Sequence, residues 1–162
     1  MEVKVSAVPV SVQEGANIII GQSHFIKTAE DIGEIMSSSV PGAKYGLAFC
    51  EASGVCLIRT EGNDDALVAQ AVRAAEDVGA GHSFFLVLKD AYPINILNQL
   101  KSCQEVCRIF CATANPVQVL VGSSDQGKGI MGVIDGFPPK GVEKEKDKTE
   151  RRSMLRRFGY KF

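Results

Sequence analysis

The stretch Gly79-Ala80-Gly81-His82-Ser83-Phe84-Phe85-Leu86-Val87-Leu88 decides how the rest of the chain is read. A helix-like run ends on two glycines, a histidine follows, and an apolar segment begins. Glycine just past a helix end takes the left-handed conformation that closes the final turn. The apolar run has the length and the aromatic and β-branched content of a buried strand. His82 is therefore expected at the mouth of a central strand, beside backbone without side chains to keep a ligand away. A neutral imidazole there can act as nucleophile or base near neutral pH, since its free pKa is about 6.5. The alternative is a strand-edge histidine whose ring hydrogen-bonds a carbonyl.

Upstream, Asn63-Asp64-Asp65 offers N-cap residues for a helix over about 65–78, with Leu67, Ala71, Ala74, Ala75 and Val78 on one face. Tyr45 to Cys50 and Val55 to Thr60 flank Glu51-Ala52-Ser53-Gly54, a hairpin signal. A weaker helix is expected over about 29–38, with Thr28 and Asp31 in capping-box spacing and Ile32, Ile35 and Met36 buried. Before it, Ala16 to Gly21 reads as a buried strand. Val3 to Val12 reads as an extended segment, bent at Pro9 and so near a sheet edge. Downstream, Pro93 is placed in the first turn of a short helix burying Ile94, Leu97 and Leu100. Val106–Ala112, Val117–Val121 and Ile130–Ile134 read as strands, and a charged helical tail follows Val142. The terminal aromatics Phe158, Tyr160 and Phe162 are expected to dock. One α/β domain over 1–162 results, a mixed central sheet flanked by helices, with a C-terminal helical tail.

Composition narrows the class. Apolar content of 45% and charged content of 23% fit a soluble globular protein, and no apolar run approaches the ~20 residues of a membrane span. The start Met-Glu-Val-Lys-Val lacks a signal-peptide pattern, so a cytoplasmic location is the default. Five cysteines without Cys-x-x-Cys argue against a disulfide scaffold or a paired-ligand zinc site and suit small buried hydrophobes. The net charge of −1 divides into +5 for residues 138–162 (nine Lys/Arg, four Asp/Glu) and −6 for the remainder. A basic tail on an acidic body suggests packing on the body or a neighbouring subunit, an anionic ligand, or merely a solvated face.

Three stretches besides His82 offer chemistry. Gly122 to Lys128 has the spacing of a P-loop, but position 129 is Gly rather than Ser/Thr, and a strand follows instead of a helix. Without a helix N-terminus the phosphate cradle is lost, leaving a glycine turn (Gly127, Lys128, Gly129) able to form a small anion nest or to serve as a plain hairpin. Thr113, Asn115 and Pro116 lie between two apolar runs, where Thr and Asn can contact a nucleoside or simply initiate a turn. Gly21 to Thr28 holds His24 and Lys27 where a strand meets a helix start, a place suited to phosphate or to capping. Asp64 and Asp135, at element ends, are compatible with magnesium, and capping explains each singly.

Taken together, the chain resembles the adenosine-specific kinase family. The stretches that carry the resemblance are Asn17–Thr28, Tyr45–Gly54, Glu61–Asp64, Gly79–His82, Pro93–Asn98, Glu105–Pro116, Gly127–Gly136 and Arg157–Lys161. They span nearly the whole chain. Lys128 stands where the family pattern favours arginine; it keeps the charge and loses the two-donor fork. The resemblance implies binding of an adenine nucleotide (ATP, ADP or AMP), a phosphorylated histidine and a homo-oligomer, with a trimer favoured; Mg2+ rests on the aspartates alone. His82 is the preferred catalytic histidine and His24 the second. Lys27, Arg108 and Lys128 are the available cations, Gly79, Gly81, Gly127 and Gly129 the backbone donors, and Asn115 the nucleoside contact.

The leading expectation is a phosphotransferase acting through that histidine. A nucleotide-binding sensor without turnover is the first alternative. An assembly or nucleic-acid-binding protein working through the basic tail is the last, since no base-stacking platform accompanies the charges.

Overall fold

The computed structural model describes residues 2–162. In chain order its elements are β1 (Lys4–Val10), β2 (Asn17–Ser23), α1 (Thr28–Ser39), β3 (Lys44–Cys50), β4 (Ile58–Gly62) and α2 (Asp65–Val78). Then come β5 (Ser83–Lys89), a 3-10 turn (Pro93–Asn95), α3 (Leu97–Ser102), β6 (Val106–Thr113), β7 (Val117–Ser123), β8 (Lys128–Asp135) and α4 (Glu145–Arg157). Among the described residues no helix is long and apolar enough to cross a membrane.

The run Ser83–Leu88 is the middle of the molecule because both of its faces are covered. Phe85 and Val87 face a core that includes Ile18, Ile20 and Ala48, the α2 residues Leu67, Ala71 and Ala75, and Val119 and Val121 of β7. Phe84, Leu86 and Leu88 face a second core with Leu47, Phe49, Ile32 and Met36 of α1, and Leu100 of α3. Side chains alternate across a strand, so a strand covered on both faces reads as a continuous apolar run. Each fully buried Leu, Ile or Phe contributes about 1.5–3 kcal/mol.

The five-stranded sheet has the order β4-β3-β5-β2-β6, and a three-stranded sheet has the order β1-β7-β8. The α/β class, the helical flanks and the helical tail agree with the sequence. The mixed central sheet becomes two sheets in which every pair is antiparallel. The α1 connection does leave β3 running parallel to β2, but β5 pairs antiparallel with each of them and lies between. β1 is an edge strand as expected, although it runs in unbroken register with β7 through Pro9 rather than bending there. α2 seats directly on β3: a Cβ at Gly46 would collide with the helix backbone at Leu67 and Val68.

Three local expectations change. Thr28 is the first residue of α1 rather than its cap: its buried hydroxyl donates to the Phe25 carbonyl and bonds Ser23 Oγ, while Asp31 pairs with Lys27. Ile94 is 62% exposed; the 3-10 turn rotates the chain so that Ile96, one residue past it, fills the core instead. The second hairpin strand begins at Ile58 rather than Val55, because the loop from Glu51 to Leu57 is closed by Leu57 N–H donating to Glu51 Oε2 at 2.8 Å.

Candidate functional site

Asp64 accepts from Leu67 N–H at 3.1 Å and starts α2, and Gly79 ends it with φ 61°, its N–H donating to the Ala75 carbonyl at 2.8 Å. The chain then turns sharply through Ala80 and Gly81. His82 also takes a left-handed backbone, φ 61°. That region is sparsely populated by residues other than glycine, although histidine is enriched among those found there. Its main chain is held on both sides: His82 N–H donates to the Cys50 carbonyl at 2.7 Å, and its own carbonyl accepts from Ser23 N–H at 2.9 Å. The ring stacks on Phe49, centroids 6.0 Å apart and planes 17° from parallel. A fixed backbone and a stacked ring leave the imidazole half-exposed in one direction.

It faces a cavity of about 200 Å³ lined by both histidines, with Phe25, Phe49, Glu51 and Ala52 among the other walls. His24, 58 residues earlier in the chain, reaches this cavity because its own N–H donates to the Glu105 carbonyl at 3.0 Å and its neighbour Ser23 is tied to His82. Glu51 is held below the ordinary carboxylate range, first by the Leu57 N–H and then by Arg59, whose Nη2 lies 2.9 Å from Oε1.

Ala52 also lines a second cleft, of about 500 Å³, between the Gly79–Gly81 turn and the β7–β8 turn with Ser124, Gln126, Gly127 and Lys128. The Lys128 side chain lies over Gly79, its Cδ and Nζ both 3.4 Å from where a Cβ would stand. The segment Gly122–Lys128 is the hairpin its missing helix implied, with Ser123 paired to Lys128. Gly129 lines a small recess with Gln22 and Gly81 on the far side of the same turn. His82, His24, Gly79, Gly81, Gly127, Lys128 and Gly129 are thus gathered at one end of the molecule, although they come from three distant parts of the chain.

The remaining candidates lie elsewhere. Thr113 pairs with Ile18 at the far end of β2, whereas Ser83, next to His82, pairs with Gln22. From Gln22 back to Ile18 is four residues, about 13 Å at ~3.3 Å per residue. Thr113, Asn115 and Pro116 therefore do not share the histidine cavity. Thr113 Oγ1 and Asn115 Nδ2 donate to Asp135 at 2.8 and 3.1 Å, Asn115 N–H donates to Thr113 Oγ1, and Gly136 N–H donates to the Pro116 carbonyl. These residues lock the β6–β7 turn onto the end of β8. Thr113 and Asn115 border a groove of about 830 Å³ with Tyr92, Phe158 and Tyr160; contrary to the expected docking, Phe158, Tyr160 and Phe162 all stay exposed.

The aspartates do not fit a magnesium site at the cleft. Asp64 and Gly79 stand at opposite ends of α2, about 21 Å apart for fourteen residues. Asp135 and Lys128 stand at opposite ends of β8. Arg108, opposite Gln22 on edge strand β6, is exposed and lines neither the histidine cavity nor the Lys128 cleft. Lys27 is engaged by Asp31, which raises the Lys27 pKa and lowers its own. The tail's charges are partly spent on one another: Arg151 grips Glu143 through two nitrogens at 2.8 and 3.0 Å, and Lys148 pairs with Glu145. Sequence reasoning missed Glu51 and Ala52. Their signals were a place in the hairpin loop, where polar and small residues ordinarily need no function, and inclusion in the matching stretch Tyr45–Gly54.

The sequence profile of the family described as Adenosine specific kinase matches residues 8–161. The chain belongs to this family. A solved structure, the PH1918 protein from Pyrococcus horikoshii OT3, is similar to this adenosine-specific kinase family member at 39% identity and a TM-score of 0.95, covering 99% of each chain. No curated protein matches the chain.

Proposed function

We propose that this protein is an adenosine-nucleotide-binding phosphotransferase in which His82 accepts a phosphoryl group from an adenine nucleotide. A ring-nitrogen lone pair attacks the terminal phosphorus, the bond to the bridging oxygen breaks, and the nucleoside diphosphate leaves with that electron pair. The proton displaced from the ring passes to solvent, since Glu51, the one carboxylate lining the histidine cavity, is held ionised by Leu57 N–H and Arg59. Phosphoryl transfer demands positioning and charge neutralisation more than covalent help. Lys128 supplies the positive charge at the adjoining cleft, and the glycine N–H groups of the two turns supply backbone donors.

The observation that carries this reading is the junction of the two cavities. Imidazoles line one and a lysine with glycine backbone lines the other, and Ala52 and the Gly81–His82 linkage join them. His24 becomes the second imidazole of the same site, placed to contact the phosphoryl group. Asn115 lines a separate groove rather than the histidine cavity or the Lys128 cleft. The exposed faces of Phe25 and Ile26, 51% and 43% accessible, offer an apolar surface for the purine instead. A homo-oligomer, with a trimer favoured, belongs to the same proposal and is supported by the exposed apolar residues Met131, Ile134, Phe137 and Val142.

Intact-mass measurement of the purified protein with and without ATP tests it. The expected result is an added phosphate that is lost on acid treatment and is absent from His82→Ala. An unchanged mass alongside saturable adenosine-nucleotide binding would establish the sensor alternative, and a His82→Ala protein that still gains phosphate would remove His82 from the role.

A further inference from the structure

Beside the His24 segment, whose N–H bonds the Glu105 carbonyl, three acidic or thiol side chains from different elements converge. Asp31 comes from the first turn of α1, Cys103 from the end of α3, and Glu105 from the turn before β6. One ligand atom from each lies within 4.8 Å of the others, the only such group among the described residues. Ligands around a tetrahedral zinc ion sit about 3.5 Å apart, given bond lengths of about 2.0–2.3 Å. Small side-chain movements therefore close the group on an ion.

A second observation separates this cluster from an ordinary acidic patch. Glu105 is 3% exposed, and its Oε1 is the one buried side-chain polar atom among the described residues without a hydrogen-bond partner. A buried carboxylate oxygen without a hydrogen-bond partner is costly unless a proton or a cation satisfies it. The Lys27 ammonium pairs with Asp31 from the more exposed side, half open to solvent, and makes no hydrogen bond to Glu105.

We infer that Asp31, Cys103 and Glu105 bind a borderline-soft divalent cation, zinc being the best match. One sulfur and two carboxylate oxygens favour zinc over magnesium or calcium, which take oxygen ligands alone. The fourth position opens towards a groove bordered by Ser38, Gln99 and Ser102, where water completes the shell. The main chain gives the site its consequence. The Glu105 carbonyl accepts from Ser23 Oγ and from His24 N–H, both at 3.0 Å, so an ion fixing Glu105 also fixes the segment that carries His24.

The test uses chelator-stripped, full-length protein titrated with Co2+ and then with Zn2+. One equivalent of cobalt should give a thiolate-to-cobalt charge-transfer band that zinc abolishes. Cys103→Ala should lose the band, Glu105→Gln and Asp31→Asn should each weaken cobalt binding at least tenfold, and Cys107→Ser should leave it unchanged. Glu105→Gln, which removes the uncompensated charge, should melt no lower than wild type without metal, yet gain nothing from zinc. Absence of the band from wild type would overturn the inference. So would a band that survives Cys103→Ala, or a zinc-dependent rise in Tm equal in wild type and Glu105→Gln. None of these readouts involves nucleotide or phosphate, so they stand or fall separately from the role of His82.

Discussion

The Ser23 N–H donates to the His82 carbonyl at 2.9 Å, so the residue preceding one histidine is clamped to the main chain of the other. The clamp is the last rung of the β2–β5 ladder, one step beyond the Gln22–Ser83 pair. Antiparallel pairing thus brings the two histidines to a single cavity. It also dictates what substitutions at His82 should do.

At φ 61° the His82 backbone is one that glycine adopts freely and a β-branched residue strongly resists. His82→Gly should match wild-type stability to within about 0.5 kcal/mol, and His82→Val should lose about 1–2 kcal/mol relative to His82→Gly. Both should lose phosphate incorporation. Urea denaturation beside intact-mass measurement separates the two effects. Equal stability of the two variants would argue that the left-handed backbone is not maintained.

Lys128 and Asn115 should part company. Lys128→Ala removes the charged donor from the cleft and should weaken adenosine-nucleotide affinity about tenfold, or ~1.4 kcal/mol, while Lys128→Arg retains it. Asn115→Ala should leave affinity unchanged and lower stability by about 1 kcal/mol, because it unties the turn from Asp135. Calorimetric titration with a nucleotide and a urea melt of each variant read the two quantities separately.

Glu51 gives a pH dependence of defined sign. Its folded-state pKa lies below 4.5, through the Leu57 N–H first and Arg59 second. A depressed carboxylate contributes stability that is fully present above the unfolded value and is lost as pH falls through the folded one. The Tm difference between wild type and Glu51→Gln should hold steady from neutrality down to about pH 4.5 and shrink below it. A difference that widens in acid would contradict the Leu57 and Arg59 contacts.

The seat of α2 on β3 predicts a large penalty at one glycine. Gly46→Ala pushes a methyl group into the backbone of Leu67 and Val68, neither of which can rotate away. A loss of about 3 kcal/mol is expected, against a negligible change for Gly127→Ala, where nothing lies within 4 Å and φ is not left-handed. Thermal or urea unfolding measures both.

Much of the fold was legible because it is written in local chemistry. Asp64 and Gly79 bound α2 as a cap and a left-handed stop must, and the unbroken apolar run from Phe84 to Leu88 announced a strand covered on both faces. His82 at the lip of that strand followed from the same reading. The missing helix after Lys128 was equally plain. The departure of Ile94 from the core was not, since a 3-10 turn shifts the buried face by a residue or two without changing composition.

What the sequence determined by itself is therefore the set of elements, their ends and the identity of the polar residues at those ends. Only the tertiary structure decided which ends meet. Strand order and antiparallel register sent Thr113 and Asn115 to one end of β2 and Ser23 to the other, and the β7–β8 hairpin laid Lys128 over Gly79. The meeting of Asp31, Cys103 and Glu105 has the same origin. The period of a helix or strand fixes which side of an element a residue occupies, whereas its neighbour across the fold is set by long-range pairing that leaves no mark in local pattern.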